Sequence, residues 1–429
     1  MKKISTTVPD SQYHKAVLDN GVTVVAERHP HVRSVSIGVW VRLGSVLETA
    51  ETNGISHIIE HMVFKGTEKR TPLEIATVLE SLGGDLNAFT DRELTCFHAT
   101  ALSEHLDEAL DVLSDLVLRP LFPRAQLERE RKVLLQELSM VEDSPDEWVS
   151  DLFFSTVWKN QPLGRPIIGT RKNIQNISRA TLVSFFKEHY RPENIVISVA
   201  GNIEFASLVD KCRKYFTFPA QQKFLPLQRP KSVYKGRYKA VHHDSEQMQL
   251  LVGFEGLGFT DPYRFDGLIL SFFLGGGMSS RLFQEIREIA ALAYSVDCDC
   301  LPFMDTGLFT FSVGLAPKSL KECMKILARE VHKLCDTPLT EQELSVVKGQ
   351  LRGTILLSSD QMEVRQESMG RNELVFGRYI SVEEVIEEID RVSPQRIQEL
   401  AQRLFVKEKE AVVTLGPSRF KNYRPTLFD

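Results

Sequence analysis

Cysteine is scarce in this chain. There are six among 429 residues, at Cys96, Cys212, Cys298, Cys300, Cys323 and Cys335. They are scattered, and Cys298 and Cys300 stand too close together for a C-x-x-C site. A disulfide-stapled secreted scaffold is therefore excluded, and reduced thiols in a cytoplasmic setting are expected. An excess of basic charge is also missing: 52 basic residues face 57 acidic ones, for a net charge of −5. Without a basic excess the chain lacks the electrostatic footprint of a nucleic-acid binder. Long hydrophobic runs are absent too. The longest uncharged stretch, Gly267 to Ser280, has 14 residues and contains three consecutive glycines, short of the ~20 apolar residues of a membrane-spanning helix. Met1 to Asp10 holds two lysines with no apolar core behind them, so no secretory signal is expected. Neither nucleic acid nor membrane is predicted as a partner.

What is present is ordinary for a globular protein: 42% hydrophobic and 25% charged residues. At ~100–200 residues per domain, the length predicts two to four domains. Comparison of the chain with itself at an offset of about 215 residues is more informative. Ile195 to Gly201 returns as Glu410 to Gly416, and Ser34 to Gly44 resembles Gln247 to Gly258. The helical stripe Leu106, Leu110, Leu113, Val117 returns as Leu320, Met324, Leu327, Val331 with the same spacing. Several matches in one order argue for a duplicated unit. We divide the chain into 1–217, a linker at 218–239 that holds Pro219, Pro226 and Pro230, and 240–429. Long helices beside alternating strands predict an α+β fold, two homologous halves each with a mostly antiparallel sheet covered by helices on one face.

The sharpest signal is His57-Ile58-Ile59-Glu60-His61. Residues i and i+4 share a helix face, so the two imidazoles can meet one metal ion, with Glu60 beside them. This is the H-x-x-E-H order, the reverse of H-E-x-x-H. Catalytic zinc takes three protein ligands and keeps a position for water, and a neighbouring carboxylate can move that water's proton. A chance match on a solvated helix is the competing explanation. The apolar neighbours Ile55, Ile58, Ile59, Met62 and Val63 weigh against it, because histidines in apolar surroundings need partners. A third ligand is required. Leu127 to Met140 reads as a helix without glycine or proline, with Glu130 and Glu137 seven apart on one face. Periodicity alone favours a charged outer face for both, and Glu128 lies on a different face.

With these motifs the sequence resembles the pitrilysin / mitochondrial processing peptidase family of zinc peptidases, in its bacterial processing-protease branch. The resemblance runs from about Lys15 to Pro417. It rests on His57 to Thr67, Asn87-Ala88-Phe89-Thr90, Glu128 through Leu138, Pro162-Leu163-Gly164-Arg165, and Gly276 to Tyr294. It implies one zinc per chain held by His57, His61 and Glu137, with Glu60 as general base and Glu130 as a supporting acid. It implies that Arg287 and Tyr294 bind the substrate carbonyl and that an extended peptide adds to a sheet edge at Asn87, with Glu93 helping to fix that segment. Without the resemblance, Arg287 reads as a surface arginine and Tyr294 as a core tyrosine. Ile289-Ala290-Ala291 stands where the family has Lys-Arg-Gly. The implied function is a zinc endopeptidase that cleaves unfolded or extended peptides in a closed clamshell chamber. One chain would supply half of that chamber, so a homodimer is expected. A non-catalytic partner subunit of the same fold and a metal-storage module are the alternatives; the complete motif disfavours the first and the position of Glu60 the second.

Overall fold

Strand patterning builds two sheets of the same design in the computed structural model, which describes residues 12–218, 229, 231–417 and 424–428. The first sheet holds β1 (Gln12–Val17), β2 (Thr23–Arg28), β3 (Ser34–Val41), β4 (Asp85–Thr90), β5 (Thr95–Leu102) and β6 (Ile195–Gly201) in the order β1-β2-β6-β3-β5-β4. The second holds β7 (Tyr238–His242), β8 (Met248–Glu255), β9 (Ala293–Pro302), β10 (Gly307–Leu315) and β11 (Ala411–Gly416) in the order β7-β11-β8-β10-β9. Each sheet is antiparallel except for one parallel pair, β2 with β6 and β7 with β11. The matching orders make β3 the counterpart of β8 and β6 that of β11, as the internal repeat predicts. The paired stripes lie on equivalent helices, Leu106–Leu118 and Leu320–Asp336. Residues 219–228 and 230 of the expected linker lie outside the described residues.

Alternation in the strands suggests one covered face per sheet, but the interior strands are buried on both. Every residue of β6 and of β11 is buried. The cause is an exchange of segments between the chain halves. The first compact unit comprises Met1–Leu135, Ile167–Arg229 and Leu357–Ile380, and the second Gln136–Pro166, Pro230–Leu356 and Ser381–Asp429. In the first unit, helix Met362–Phe376 lies across β2, β3 and β6 and buries Met362, Met369 and Leu374 with Val25, Trp40 and Val196. In the second, helix Pro145–Val157 lies across β8 and β11. A glycine in each of the corresponding strands β3 and β8 makes room for the visitor. A Cβ on Gly38 would stand 1.9 Å from Gln366 Oε1, and one on Gly253 would stand 2.6 Å from the Phe153 ring.

Buried polar groups lock the first exchange in place. Arg365 donates to Glu27 at 2.6 Å. The Trp40 indole N–H donates to Ser198 Oγ at 2.9 Å, and Ser198 donates to Gln366 at 2.6 Å. The six cysteines form no disulfide, and Cys96, Cys212, Cys298 and Cys323 are buried. Among the described residues, no helix is long and apolar enough to cross a membrane.

Candidate metal centre

The motif segment forms the helix Ile55–Val63. Nine residues are too few to hold a helix alone in water, so burial holds it. Ile55, Ile58, Ile59, Met62 and Val63 are inaccessible to solvent. At its C-terminal end the chain turns through Gly66, at φ +121, where a side chain would be strained. Thr67 then donates to the fully buried Asp115, which also accepts from Arg70 at 3.0 Å.

On this helix the His57 and His61 rings meet edge to face, 4.7 Å apart. Burial, and then the neighbouring His61, lowers the His57 pKa to about 4. At neutral pH His57 is therefore an uncharged imidazole with a lone pair, the state a metal requires. Behind Glu60 lies Tyr190, whose phenol is pushed up by burial and by the Glu60 charge and stays protonated.

The second contributor is helix Arg124–Asp143. Here the structure differs from the periodicity argument. Leu127 and Leu134 are buried, and Glu130, between them on the same face, is buried with them. Glu128 is exposed, as its different face predicts. Glu130 bridges two partners: Oε2 lies 3.3 Å from His61 Nδ1, and Oε1 lies 3.0 Å from Lys65 Nζ. With Nδ1–H donating to Glu130, the Nε2 lone pair of His61 is the one that can face a metal. Two turns further on is Glu137. It belongs to the same helix.

His57, His61 and Glu137 come together: one ligand atom from each lies within 4.8 Å of the others. No other such group of three or more occurs among the described residues. Two imidazole nitrogens and one carboxylate oxygen are the donor set of a catalytic zinc site and leave a coordination position unfilled by protein. The residues fit the group that the motif implies.

The remaining expected residues lie elsewhere. Asn87 is exposed on β4, the edge strand of the first sheet, and its Oδ1 accepts from the Ala88 N–H at 2.8 Å. Glu93 is buried and paired with Arg229. Arg287 and Tyr294 belong to the second unit. Arg287 lies in the π-helical turn Phe283–Ile289 with its guanidinium over the Phe283 ring. Tyr294 opens β9 and is 65% exposed, so it is not the core tyrosine that its pattern suggests. Between them Ala291 takes φ +52, a conformation that favours glycine.

A duplicated α+β chain with an H-x-x-E-H helix and a distant glutamate defines a class of metallopeptidase, and comparison with known proteins gives the family. The insulinase model of peptidase family M16 matches residues 23–171, and the M16 inactive-domain model matches residues 176–351. An uncharacterised zinc protease of Bacillus subtilis is 37% identical over 399 residues, 93% of this chain and 97% of that protein. Another, from Rickettsia felis, is 35% identical over 95% of this chain and 98% of its own. A protease from Helicobacter pylori has the same fold, with a TM-score of 0.89 at 21% identity over 95% of this chain and 100% of that one. The chain belongs to peptidase family M16, the family its motifs resemble.

Proposed function

We propose that the protein is a zinc endopeptidase acting on extended peptides. The observation that carries this reading is the convergence of Glu137, from helix Arg124–Asp143, with His57 and His61, whose helix turn also carries Glu60. These three residues would hold zinc, which when bound would supply a Lewis acid to polarise a peptide carbonyl and make water acidic near neutral pH. Glu60 accepts the water's proton on its carboxylate and returns it to the departing amine. Glu130 keeps His61 in one tautomer and orientation, and Lys65 holds Glu130. The buried imidazole of His57 stays neutral over the working pH range. Both curated relatives are named zinc proteases, which supports the same chemistry here. The complete ligand set weighs against a non-catalytic partner subunit.

The free edge of β4 suits backbone pairing with an extended substrate, with Asn87 at that edge. The exposed Arg287 and Tyr294 suit hydrogen bonds to a peptide carbonyl and its developing oxyanion. We place them in trans: two copies of this chain form a clamshell chamber in which each zinc site is completed by Arg287 and Tyr294 of the other protomer. A cytoplasmic location accords with the reduced cysteines. The decisive experiment measures zinc content and peptide cleavage on one sample. Wild type should hold about one zinc per chain and cleave an unstructured peptide. Glu137→Gln should lose zinc. Glu60→Gln should keep zinc while turnover falls ~10²–10⁴-fold. Unchanged turnover in Glu60→Gln would reject the mechanism.

A further inference from the structure

The helix that carries His57, Glu60 and His61 starts at Gly54, which has no side chain with which to cap it. Gly54 is required there: φ is +94, and a Cβ would stand 2.7 Å from the Ile168 carbonyl oxygen. A helix start still leaves several backbone N–H groups without partners inside the helix. Two of them are met by one side chain from outside it. Glu48, six residues before Gly54, accepts from the Gly54 N–H at 2.7 Å through Oε2 and from the Ser56 N–H at 2.9 Å through Oε1. Oε2 also accepts from Asn53 Nδ2 at 2.9 Å. Glu48 is 3% exposed. Burial raises its pKa above the ordinary carboxylate value, against the opposing pull of the Ser56, Asn53 and Gly54 hydrogen bonds, and donors reach both of its oxygens.

The other end of this connection is anchored to the sheet. Glu48 follows Gly44–Leu47, separated from the end of β3 by Arg42 and Leu43, and there the Val46 N–H donates at 2.9 Å to the Arg92 carbonyl in the turn between β4 and β5. A Cβ on Gly44 would strike the Arg92 backbone at 2.4 Å. The intervening loop is clamped from behind. Asn173 Nδ2 donates to the Ala50 carbonyl at 2.9 Å and to the Asn53 carbonyl at 3.1 Å. Gly169 packs against Gly54 so closely that a Cβ on Gly169 would stand 2.6 Å from the Asn53 carbonyl oxygen. A cap supplied at Gly54 itself would stabilise the helix but leave it free to shift against the sheet. A two-oxygen grip from a residue whose own segment is bonded to the β4–β5 turn sets both its axial position and its rotation.

We infer that Glu48 is a positioning residue for the metal centre, holding the motif helix in register so that His57, the residue after Ser56, and His61 present their nitrogens toward Glu137. This rests on the zinc-peptidase reading, and its test separates the two. The variants are Glu48→Gln, which keeps the size but replaces one acceptor with a donor, and Glu48→Ala. Glu51→Gln, on the exposed part of the same loop, is the control. Four quantities are measured: deuterium uptake of metal-free protein over residues 49–58, its thermal midpoint, zinc affinity by chelator competition, and kcat and KM on an unstructured fluorogenic peptide. Glu48→Gln should take up deuterium faster at the helix start and lose ~10–100-fold in zinc affinity, the range for groups that orient ligands. Its kcat should fall with KM within about twofold, while the metal-free midpoint stays close to wild type. A lowered midpoint with wild-type zinc affinity and kcat in the folded protein would make Glu48 merely structural and overturn the inference. If Glu48→Ala does not fold, the isosteric Glu48→Gln decides. A wild type that neither binds zinc nor cleaves peptide would sink the zinc-peptidase reading, while unchanged deuterium uptake in Glu48→Gln would sink the cap.

Discussion

Glu130→Gln is the most searching test of the candidate centre, because helical periodicity and tertiary structure disagree about this residue. On periodicity Glu130 is a solvated outer residue, and its neutralisation would change almost nothing. In the structure its side chain is 8% exposed and one carboxylate serves both His61 and Lys65. The amide keeps the volume but removes the charge. It can offer one oxygen to His61 Nδ1 or to Lys65 Nζ, while its NH2 faces the other as donor against donor. Loss of a carboxylate that orients a metal-bound histidine costs ~10–100-fold in metal affinity, which is about 1.4–2.7 kcal/mol. Leaving the Lys65 ammonium, 30% exposed, without its partner adds less, since solvent screens it. The assay is competition between the protein and a zinc-sensitive chelator, with Glu128→Gln as control. The expected outcome is a fall in affinity of ~10-fold or more for Glu130→Gln and none for Glu128→Gln. Equal affinities for the two variants would refute the assignment of Glu130.

Three further outcomes are expected. Gly253→Ala drives a methyl to within 2.6 Å of the fully buried Phe153 ring and 2.9 Å of Thr310 Cγ2, so overpacking should destabilise the second unit by about 1–3 kcal/mol in urea unfolding; no loss of stability would remove the close-approach argument. Burial raises the Glu27 pKa, but the His29 hydrogen bond, Arg365 and Tyr379 outweigh it, so the folded pKa lies below the ordinary value and its stabilisation is lost only as pH falls through that lowered pKa. Arg365→Met removes one of the groups that hold the Glu27 pKa down; it should cost about 3–5 kcal/mol at neutral pH, and the deficit relative to wild type should shrink as the pH is lowered, so a pH-independent deficit would contradict the pairing. Finally, Glu60→Gln mixed with Arg287→Ala/Tyr294→Phe under subunit exchange should restore up to roughly half of wild-type activity per mixed dimer, and no recovery despite exchange would place the pair in cis or outside the site.

The legible parts of this protein are those set by near neighbours along the chain. The i, i+4 spacing puts His57 and His61 on one helix face whatever surrounds them, and the 215-residue repeat foretells two sheets with matching strand orders. Other features depend on partners far away in sequence. Periodicity shows that Glu130 and Glu137 share a face; only docking of Leu127 and Leu134 turns that face inward. Helix Met362–Phe376 has almost no amphipathic pattern, and its buried face includes Arg365, Gln366 and Glu373, so the sequence does not tell which side it buries or on which sheet; the answer is the sheet of the other chain half. Tyr294 has the composition of a core residue, and its exposure is decided by how β9 sits at the sheet edge. Glu48 carries no local signal at all, because the amides it caps become its neighbours only when the loop before Gly54 closes. Local spacing is written into covalent geometry. Which surfaces meet is settled by the burial that the whole chain can achieve at once.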